Sequence, residues 1–309
     1  MSPDGGRKLP QGRIKRMTRL QDYLEFQRDR INGRLDQLVP AAAEPPRLAE
    51  AMRYSLLLPG KRLRPILALA VAQMLRGRPE DVLDPACAVE LVHASSLILD
   101  DLPCMDNAAL RRGKPTNHLT FGEDVAILAA FGLLNRAFEI LAEAPAVGAK
   151  GAALAELRRS FARAIGAAGL IGGQIVDLES TDKAIHFETL EYIHSHKTGA
   201  LFGCAAEVGA RLAGASQREL AAILAYAKNL GLAFQIVDDL LDVIGDPQQT
   251  GKQVRQDLKK TTFVSFSGVA GARALVAELL GHAVEALKPF GGRAELLVQL
   301  ADYVGQRGE

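Results

Sequence analysis

Two clusters of aspartates lie far apart in the chain, each inside an apolar, helix-forming stretch, and they constrain the fold more than any other feature. The first is Asp100-Asp101-Leu-Pro-Cys-Met-Asp106 and the second is Asp238-Asp239-Leu-Leu-Asp242. Each follows an aliphatic run, so the carboxylates stand where a helix buries its surface. Burying several carboxylates together is prohibitive unless cations neutralise them. We therefore predict that the clusters face each other across a cavity for divalent metal and a polyanion.

The two clusters have different local geometry. Asp238 and Asp242 are separated by about 40° around a regular helix, so both point the same way. Asp100 and Asp106 would be roughly 120° apart on such a helix. Pro103 removes a backbone donor between them, and a break there can bring Asp106 back towards Asp100. A solvated acidic face is the alternative interpretation, but the aliphatic neighbours leave it little exposed surface.

Helical periodicity dominates the rest of the chain, and we predict an all-α fold of ten or more helices. The segment most similar to a strand is 261–265, but it is short and its threonines are more typical of a helix start. The predicted helices cover 19–38, 45–58, 62–75, a long segment from 84 or 85 into the first aspartate cluster, 121–142, 150–178, 187–212, 217–244, 272–287 and 293–306. Residues 1–17 are predicted to be a disordered leader and 18–309 a single domain.

Composition excludes several classes of protein. The formal net charge of +1 over 309 residues gives no basic field for nucleic acid, so no nucleic-acid partner is expected. The three cysteines form no Cys-x-x-Cys pair, which argues against a disulfide framework and suits a reducing, cytoplasmic location. No uninterrupted apolar run approaches the roughly eighteen residues of a membrane span, so no integral membrane segment is expected.

Basic residues accompany the aspartates. Arg111, Arg112 and Lys114 follow the first cluster, and Gly60-Lys-Arg-Leu-Arg-Pro65 stands at a helix start, where backbone donors add attraction for anions. Guanidinium groups beside carboxylates suit a site that holds both metal and phosphate. A salt-bridged loop is the alternative. His194 and His196 lack partners at zinc spacing and are interpreted as surface or capping residues.

In combination these motifs resemble the trans-prenyl diphosphate synthases, from about Leu20 to the C-terminus. The resemblance rests on 60–65, on Leu97-Ile-Leu-Asp-Asp-Leu-Pro-Cys-Met-Asp-Asn107, on Leu110-Arg-Arg-Gly-Lys-Pro-Thr-Asn-His118, on His196-Lys-Thr198, on Phe234-Gln-Ile-Val-Asp-Asp-Leu-Leu-Asp242 and on Gly251-Lys252. The chain is most similar to bacterial geranylgeranyl diphosphate synthases of carotenoid pathways. The resemblance implies an isoprenoid synthase fold with a central cavity, a homodimer, and condensation of isopentenyl diphosphate with an allylic diphosphate.

The resemblance also implies roles for individual residues. Three Mg²⁺ per active site would be held by Asp100, Asp101, Asp106, Asp238, Asp239 and Asp242. The allylic diphosphate would be bound by Arg111, Lys197, Lys252 and Lys260, and isopentenyl diphosphate by Lys61, Arg64, His93 and Arg112. Thr198 and Gln235 would stabilise the allylic cation. Ala108 and Ala109 stand where many short-chain members have further aspartates, which affects the expected metal affinity.

Product length is predicted from the residues before the first aspartate. In farnesyl-producing relatives a bulky aromatic stands five residues before it, whereas this chain has Ser95 followed by Ser96. Small side chains leave an apolar tunnel open beyond fifteen carbons, so we predict geranylgeranyl diphosphate as the main product. A bulky side chain deeper in the tunnel would instead stop elongation at farnesyl diphosphate.

Two further functions remain open from the sequence. A non-catalytic partner subunit of the same fold is supported only by Ala108 and Ala109. A class I terpene cyclase is also all-α and metal-dependent, but it needs one aspartate-rich motif and a mixed Asn/Ser/Glu motif, not two aspartate clusters.

Overall fold

The structure, a computed structural model, describes residues 20–42, 44–144, 151–244 and 261–307. These residues form α-helices around a shared apolar core, which confirms the predicted all-α class and the bundle of ten or more helices. In chain order the elements are α1 (Leu20–Leu38), α2 (Pro46–Leu56), α3 (Leu63–Met74), α4 (Pro79–Asp100), β1 (Leu110–Arg111), β2 (Lys114–Pro115), α5 (Asn117–Phe121), α6 (Glu123–Glu143), α7 (Gly151–Ile165), α8 (Leu170–Ser180), α9 (Phe187–Ile193), a π-helical segment (His194–Gly199), α10 (Ala200–Leu212), α11 (Gln217–Ile244), α12 (Phe263–Ala286), a 3₁₀ segment (Lys288–Ala294) and α13 (Glu295–Gln306).

Helices α4, α10 and α11 form the centre of the described bundle. Helix α4 packs against α3 and α6, while α10 packs against α3, α4, α7 and α11. Helix α3 is buried on almost every side, as its sequence of aliphatic residues and alanines requires. Helix α11 pairs along its length with α12, and α13 closes one end against both. Both aspartate clusters therefore lie on central helices.

Several predicted boundaries were wrong. Helix α4 begins at Pro79, five or six residues before the predicted start, because a proline in the first turn and the acidic Glu80 and Asp81 favour an earlier N-terminus. Pro85 is accommodated inside that helix. The segment predicted as one helix over 150–178 divides before Leu170: at Gly169 an added Cβ would lie 2.1 Å from the Ala164 carbonyl oxygen.

The remaining differences concern short elements. The π-helical segment interrupts the helix predicted over 187–212. Helix α12 begins at Phe263, where Thr262 and Ser265 form a reciprocal capping box, in agreement with the helix opening predicted at 261–265. It kinks at Gly268, whose φ of 67° is not helical, before the helix predicted over 272–287. A two-residue hairpin, β1–β2, was not predicted; its turn residues Arg112 and Gly113 both have positive φ, 52° and 76°, as a type I′ turn needs.

Five helical stretches are long and apolar enough to span a membrane by length and composition alone. They are Pro79–Asp100, Glu123–Glu143, Leu154–Ser180, Gln217–Ile244 and Phe263–Ala286. The expectation that no segment reaches this length was therefore wrong, because it counted uninterrupted apolar runs and these helices contain scattered polar residues. In the structure, 67% of the apolar window of α4 and 56% of that of α11 are buried.

The predicted division into a leader and one domain stays a prediction, since residues 1–17 lie outside the described part of the chain.

Candidate active site

The first aspartate cluster lies where α4 ends. After Asp100 the chain turns back on itself: the backbone N–H of Asp106 donates to the Asp100 carbonyl at 2.9 Å, and that of Ala108 donates to the Asp101 carbonyl at 3.2 Å. Pro103 stands at the outside of this turn and is exposed. The predicted break at Pro103 is thus present, and it brings Asp106 next to Asp100.

Asp101 differs from its neighbours because it is buried against a basic residue. Its carboxylate accepts from Nε of Arg111 on β1, at 3.1 and 3.2 Å to the two oxygens. Burial raises the pKa of the Asp101 carboxyl, and the contact with Arg111 partly opposes that shift. The hairpin therefore attaches to the helix end through this pair, with Asp101 and Arg111 bound to each other.

Lys197 lies between the first cluster and helix α8. Its Nζ donates to Oδ2 of Asp177 at 2.7 Å and lies 4.0 Å from Oδ2 of Asp100. Asp177, which is buried, was not identified from the sequence. A carboxylate four residues after Gly173, between the aliphatic Val176 and Leu178, was the signal available for it. The contacts place an ammonium group beside the predicted metal ligands.

Gly173 permits this arrangement, and its replacement gives a testable result. A Cβ at this position would lie 2.3 Å from the backbone nitrogen of Lys197. We expect Gly173→Ala to lower the free energy of unfolding by about 1–3 kcal/mol, because α8 and the π-helical segment would have to separate. The control is Gly203→Ala on α10, where an added Cβ meets nothing within 4 Å. The control should be neutral or stabilising in chemical denaturation; equal losses in both variants would contradict the packing argument.

A chain of hydrogen bonds connects the π-helical segment to the second cluster. Oγ1 of Thr198 donates to Oε1 of Gln235 at 2.8 Å, and Nε2 of Gln235 donates to Oδ1 of Asp239 at 3.0 Å. Oδ2 of Asp239 accepts from the backbone N–H of Phe263 at 3.2 Å. Both Asp239 oxygens thus bind protein groups, while the Thr198 oxygen keeps its lone pairs. Because Lys197 and Thr198 are adjacent, the π-helical segment joins the two clusters.

Asp238 is bound by an arginine that the sequence did not indicate. Nη2 of Arg307, just after α13, donates to Oδ1 of Asp238 at 2.7 Å. The guanidinium also stacks 4.8 Å from the ring centroid of Phe234, and its Nη1 is buried without a partner among the described residues. Asp238 and Arg307 are 69 positions apart, so no local sequence pattern indicates their contact. The C-terminal helix therefore supplies a counter-charge to the second cluster.

Arg64, His93 and Arg112 form a group in which the two arginines carry surplus positive charge. Nε of Arg64 is buried and has no hydrogen-bond partner in the described part of the chain, and its guanidinium stacks 4.9 Å from the Phe202 ring. Desolvation lowers the pKa of Arg64, and desolvation together with Arg64, Arg112, Arg111 and Arg62 holds the pKa of His93 well below its usual value. Such a group is suited to an anion that would supply the missing acceptors.

His93 and Arg112 of this group line a small cavity of about 10 Å³ between α2, α4 and the hairpin. Four of the site residues predicted from the sequence or its resemblance line this cavity. The lining includes His93, Asp101, Arg111 and Arg112, with Tyr54 and Leu97 on its apolar side. Lys61, one turn before Arg64, is exposed to solvent.

The serines predicted to control product length lie on α4, one turn before Asp100. Ser95 is buried, and its Oγ donates to the carbonyl of Ala130 on α6 at 2.8 Å. Ser96 is half-buried, and its Oγ donates to the carbonyl of His93 at 2.9 Å. Ser95 therefore lies at the contact between α4 and α6.

Other predicted residues have different outcomes. Lys252 and Lys260 lie outside the described residues, so their roles stay predictions. Asp242 is half-buried in the last turn of α11. His194 was expected at the surface, but its ring is 5.1 Å from that of Phe263, and burial lowers the pKa of His194 to about 4. Of the two interpretations given for His194, surface or capping residue, the first was wrong, because Phe263 at the start of α12 packs against its ring.

The surroundings of the aspartates decide whether they fit a metal ion. Within the described ranges, no three Asp, Glu, His or Cys side chains converge closely enough to form a metal-binding group alone. The donor set is nevertheless one of hard carboxylate oxygens, which Mg²⁺ prefers. In addition, protein cations accompany both clusters: Lys197 lies near Asp100, and Arg307 contacts Asp238. The site therefore fits cations, and Asp100, Asp106 and Asp238 are the residues best suited to hold them.

Comparisons with known proteins agree with this geometry. The polyprenyl synthetase family model matches residues 45–285. The chain belongs to the polyprenyl synthetase family. It is therefore a prenyltransferase of the isoprenoid synthase fold.

Individual relatives cover nearly the whole chain. A chloroplastic geranylgeranyl pyrophosphate synthase of Capsicum annuum is 44% identical over 281 residues, covering 90% of this chain and 76% of the relative. A geranylgeranyl diphosphate synthase of Cyanophora paradoxa is 42% identical, covering 92% and 95%. The crystal structure of an FPP/GFPP synthase from Zymomonas mobilis matches with a TM-score of 0.82 at 36% identity, covering 93% and 98%.

Proposed function

We propose that this prenyltransferase condenses isopentenyl diphosphate head-to-tail (1′-4) with an allylic diphosphate in a Mg²⁺-dependent reaction, with three Mg²⁺ per site and geranylgeranyl diphosphate as the main product. The observation that carries the proposal is the surplus positive charge of Arg64 and Arg112, next to the His93 imidazole and beside two carboxylate clusters. The negative charge of two diphosphates would balance the arginines, and metal ions would balance the carboxylates. The names of the relatives support the same substrates.

The allylic diphosphate is assigned to the side of the site that contains Lys197 and Arg111. Magnesium, when bound to Asp100, Asp106 and Asp238, supplies positive charge that stabilises the leaving diphosphate. Lys197, which lies 4.0 Å from Asp100, adds an ammonium group on the same side. Preorganised charge of this kind favours cleavage of the allylic C–O bond, because negative charge develops on the diphosphate.

The carbon end of the reaction is assigned to Thr198 and Gln235. The Thr198 hydroxyl donates its proton in a hydrogen bond to Gln235. The lone pairs of the Thr198 oxygen can therefore face the allylic cation. The isopentenyl double bond then attacks that cation, and the released diphosphate accepts the proton lost from the new chain. Apolar walls exclude water, which would otherwise convert the cation into an alcohol.

The proposal is tested by product analysis. Purified protein with Mg²⁺, farnesyl diphosphate and isopentenyl diphosphate should release pyrophosphate and give a prenyl product that is longer by five carbons. EDTA should abolish turnover. Hydrocarbon release from geranylgeranyl diphosphate alone would instead favour a terpene cyclase, and inactivity of the isolated chain would favour the non-catalytic partner subunit. With geranyl diphosphate as the allylic substrate instead, a main product of fifteen carbons would favour farnesyl diphosphate synthase.

Ser95 gives a specific prediction about chain length. Because it is buried where α4 meets α6, a large ring there would close the space between the two helices. We expect Ser95→Phe to shift the main product from twenty carbons to fifteen, measured by chromatography of dephosphorylated products. Ser95→Ala, which removes the hydrogen bond without adding volume, should keep the twenty-carbon product. An unchanged product in Ser95→Phe would place the tunnel elsewhere.

We also propose that the protein is a homodimer that pairs through α6. Ile127, Leu128, Phe131 and Phe138 form an apolar stripe at helical spacing, and Leu128 and Phe131 are 59% and 60% exposed. A helix that presents large apolar side chains on both its buried and its exposed sides is suited to contact another protein surface. A second copy of the chain is the partner that the family resemblance implies.

The dimer is tested by charge insertion. Phe131→Glu should convert the dimer to a monomer in sedimentation experiments, since a carboxylate would be buried at the contact without a partner. Phe266→Glu, at another exposed phenylalanine on α12, is the control and should leave the dimer intact. A wild-type monomer, or a dimer that tolerates Phe131→Glu, would contradict this assignment.

A further inference from the structure

Arg62 stands between Lys61 and Arg64 but has a different environment from either. Its side chain is only 3% exposed, and its backbone adopts φ +52°, a left-handed conformation, as the residue that precedes α3. A non-glycine residue with positive φ needs compensating interactions. The contacts of its guanidinium supply them.

The Arg62 guanidinium binds four acceptors from three parts of the fold. Nε donates to Oδ1 of Asn32 at 2.9 Å, and Nη1 donates to Oε1 of Glu90 at 2.7 Å. Nη2 donates to the carbonyl oxygens of Leu56 and Leu58, at 2.8 and 2.9 Å. The planar guanidinium thus fixes the segment between α2 and α3 relative to α1 and α4.

The same segment also contacts the hairpin. The Leu58 carbonyl accepts a second hydrogen bond, from Nη1 of Arg112 at 3.3 Å. A Cβ on Gly60 would lie 2.6 Å from that Nη1, so the two chains approach closely. Glu90 stands one turn before His93 on α4. Arg62 therefore connects, within one set of contacts, the segments that carry Lys61, Arg64, His93 and Arg112.

We propose that Arg62 and Glu90 form a positioning pair that sets the spacing of the cationic group and thereby determines affinity for the isopentenyl diphosphate. The inference rests on the proposed function, in which that group binds this substrate. A buried ion pair can often be replaced by apolar residues without loss of stability. The four directed contacts of Arg62 instead indicate a geometric role, because displacing a binding group by about 1 Å can cost about a hundredfold in activity.

The experiment compares Arg62→Lys and Glu90→Gln with Arg34→Lys. Lysine keeps the charge of Arg62 but cannot reach four acceptors. Arg34 makes a similar paired contact between α1 and α4, at 2.6 and 2.7 Å to the two Asp84 oxygens, and lies outside the site. KM for isopentenyl diphosphate, KM for the allylic diphosphate, kcat and thermal unfolding are measured for each variant.

Arg62→Lys should raise KM for isopentenyl diphosphate at least about tenfold and change the allylic KM less than about threefold. Glu90→Gln should give a smaller change in the same direction, and Arg34→Lys should change neither KM. If Arg62→Lys does not fold, the test is whether Glu90→Gln raises KM for isopentenyl diphosphate more than the allylic KM. Equal effects on both KM values, or none, would overturn the positioning role. A wild-type protein without condensing activity would instead refute the proposed function.

Discussion

Replacing Asp100 by asparagine should lower kcat by about a thousandfold, the size of effect seen when one preorganised charge or donor is removed from an active site. Asparagine keeps the shape of the side chain but removes the negative charge that would attract a metal ion. The charge also faces Lys197, 4.0 Å away. Turnover should be measured at saturating concentrations of both diphosphates, over a titration of Mg²⁺.

The control for Asp100→Asn is Asp22→Asn, an exposed aspartate in the first turn of α1. It should turn over at the wild-type rate at every Mg²⁺ concentration. If Asp100→Asn kept more than about a tenth of wild-type kcat, the first cluster could not be the principal metal site.

Arg64→Met should weaken substrate binding strongly but change the stability of the unbound protein little. The buried Nε of Arg64 has no partner among the described residues, and its desolvation lowers the pKa of the guanidinium. Truncating one partner of a buried charge pair with a substrate costs about 2–5 kcal/mol, so KM for isopentenyl diphosphate should rise by roughly a hundredfold or more. The unbound protein should lose little, because methionine fills the space without a desolvated charge.

The free energy of unfolding of Arg64→Met, measured by urea denaturation without ligands, should therefore stay within about 1 kcal/mol of wild type or rise. Lost stacking on Phe202, worth about 0.5–2 kcal/mol, is the opposing contribution. A loss well beyond that range, with an unchanged KM, would show that Arg64 supports the fold and not the substrate.

The elements that could be predicted from the sequence are those specified by local patterns. The 217–244 helix was predicted with the boundaries that α11 has, because its apolar periodicity is continuous and no proline interrupts it. The break at Pro103 was predicted from the missing backbone donor. The β1–β2 hairpin was missed because its turn uses Arg112 at positive φ, where asparagine or glycine is the usual signal.

The contacts that complete the site depend on residues distant in the sequence, and local patterns do not report them. Arg307 reaches Asp238 because α13 packs beside α11, and Asp177 reaches Lys197 because Gly173 lets α8 approach the π-helical segment. The metal roles predicted for all six aspartates stay predictions, and Asp101 and Asp239 have both oxygens in contact with protein groups. Their oxygens bind Arg111, Gln235 and a backbone N–H in this structure.

The central claim is that both aspartate clusters hold metal around one diphosphate. The most direct test is a crystal structure with Mn²⁺ and a thiolo analogue of an allylic diphosphate, which cannot ionise readily. Anomalous scattering should show Mn²⁺ at Asp100 and Asp106 and at Asp238, with the diphosphate between them and in contact with Lys197. Mn²⁺ bound elsewhere, or a diphosphate on a surface away from both clusters, would contradict the account.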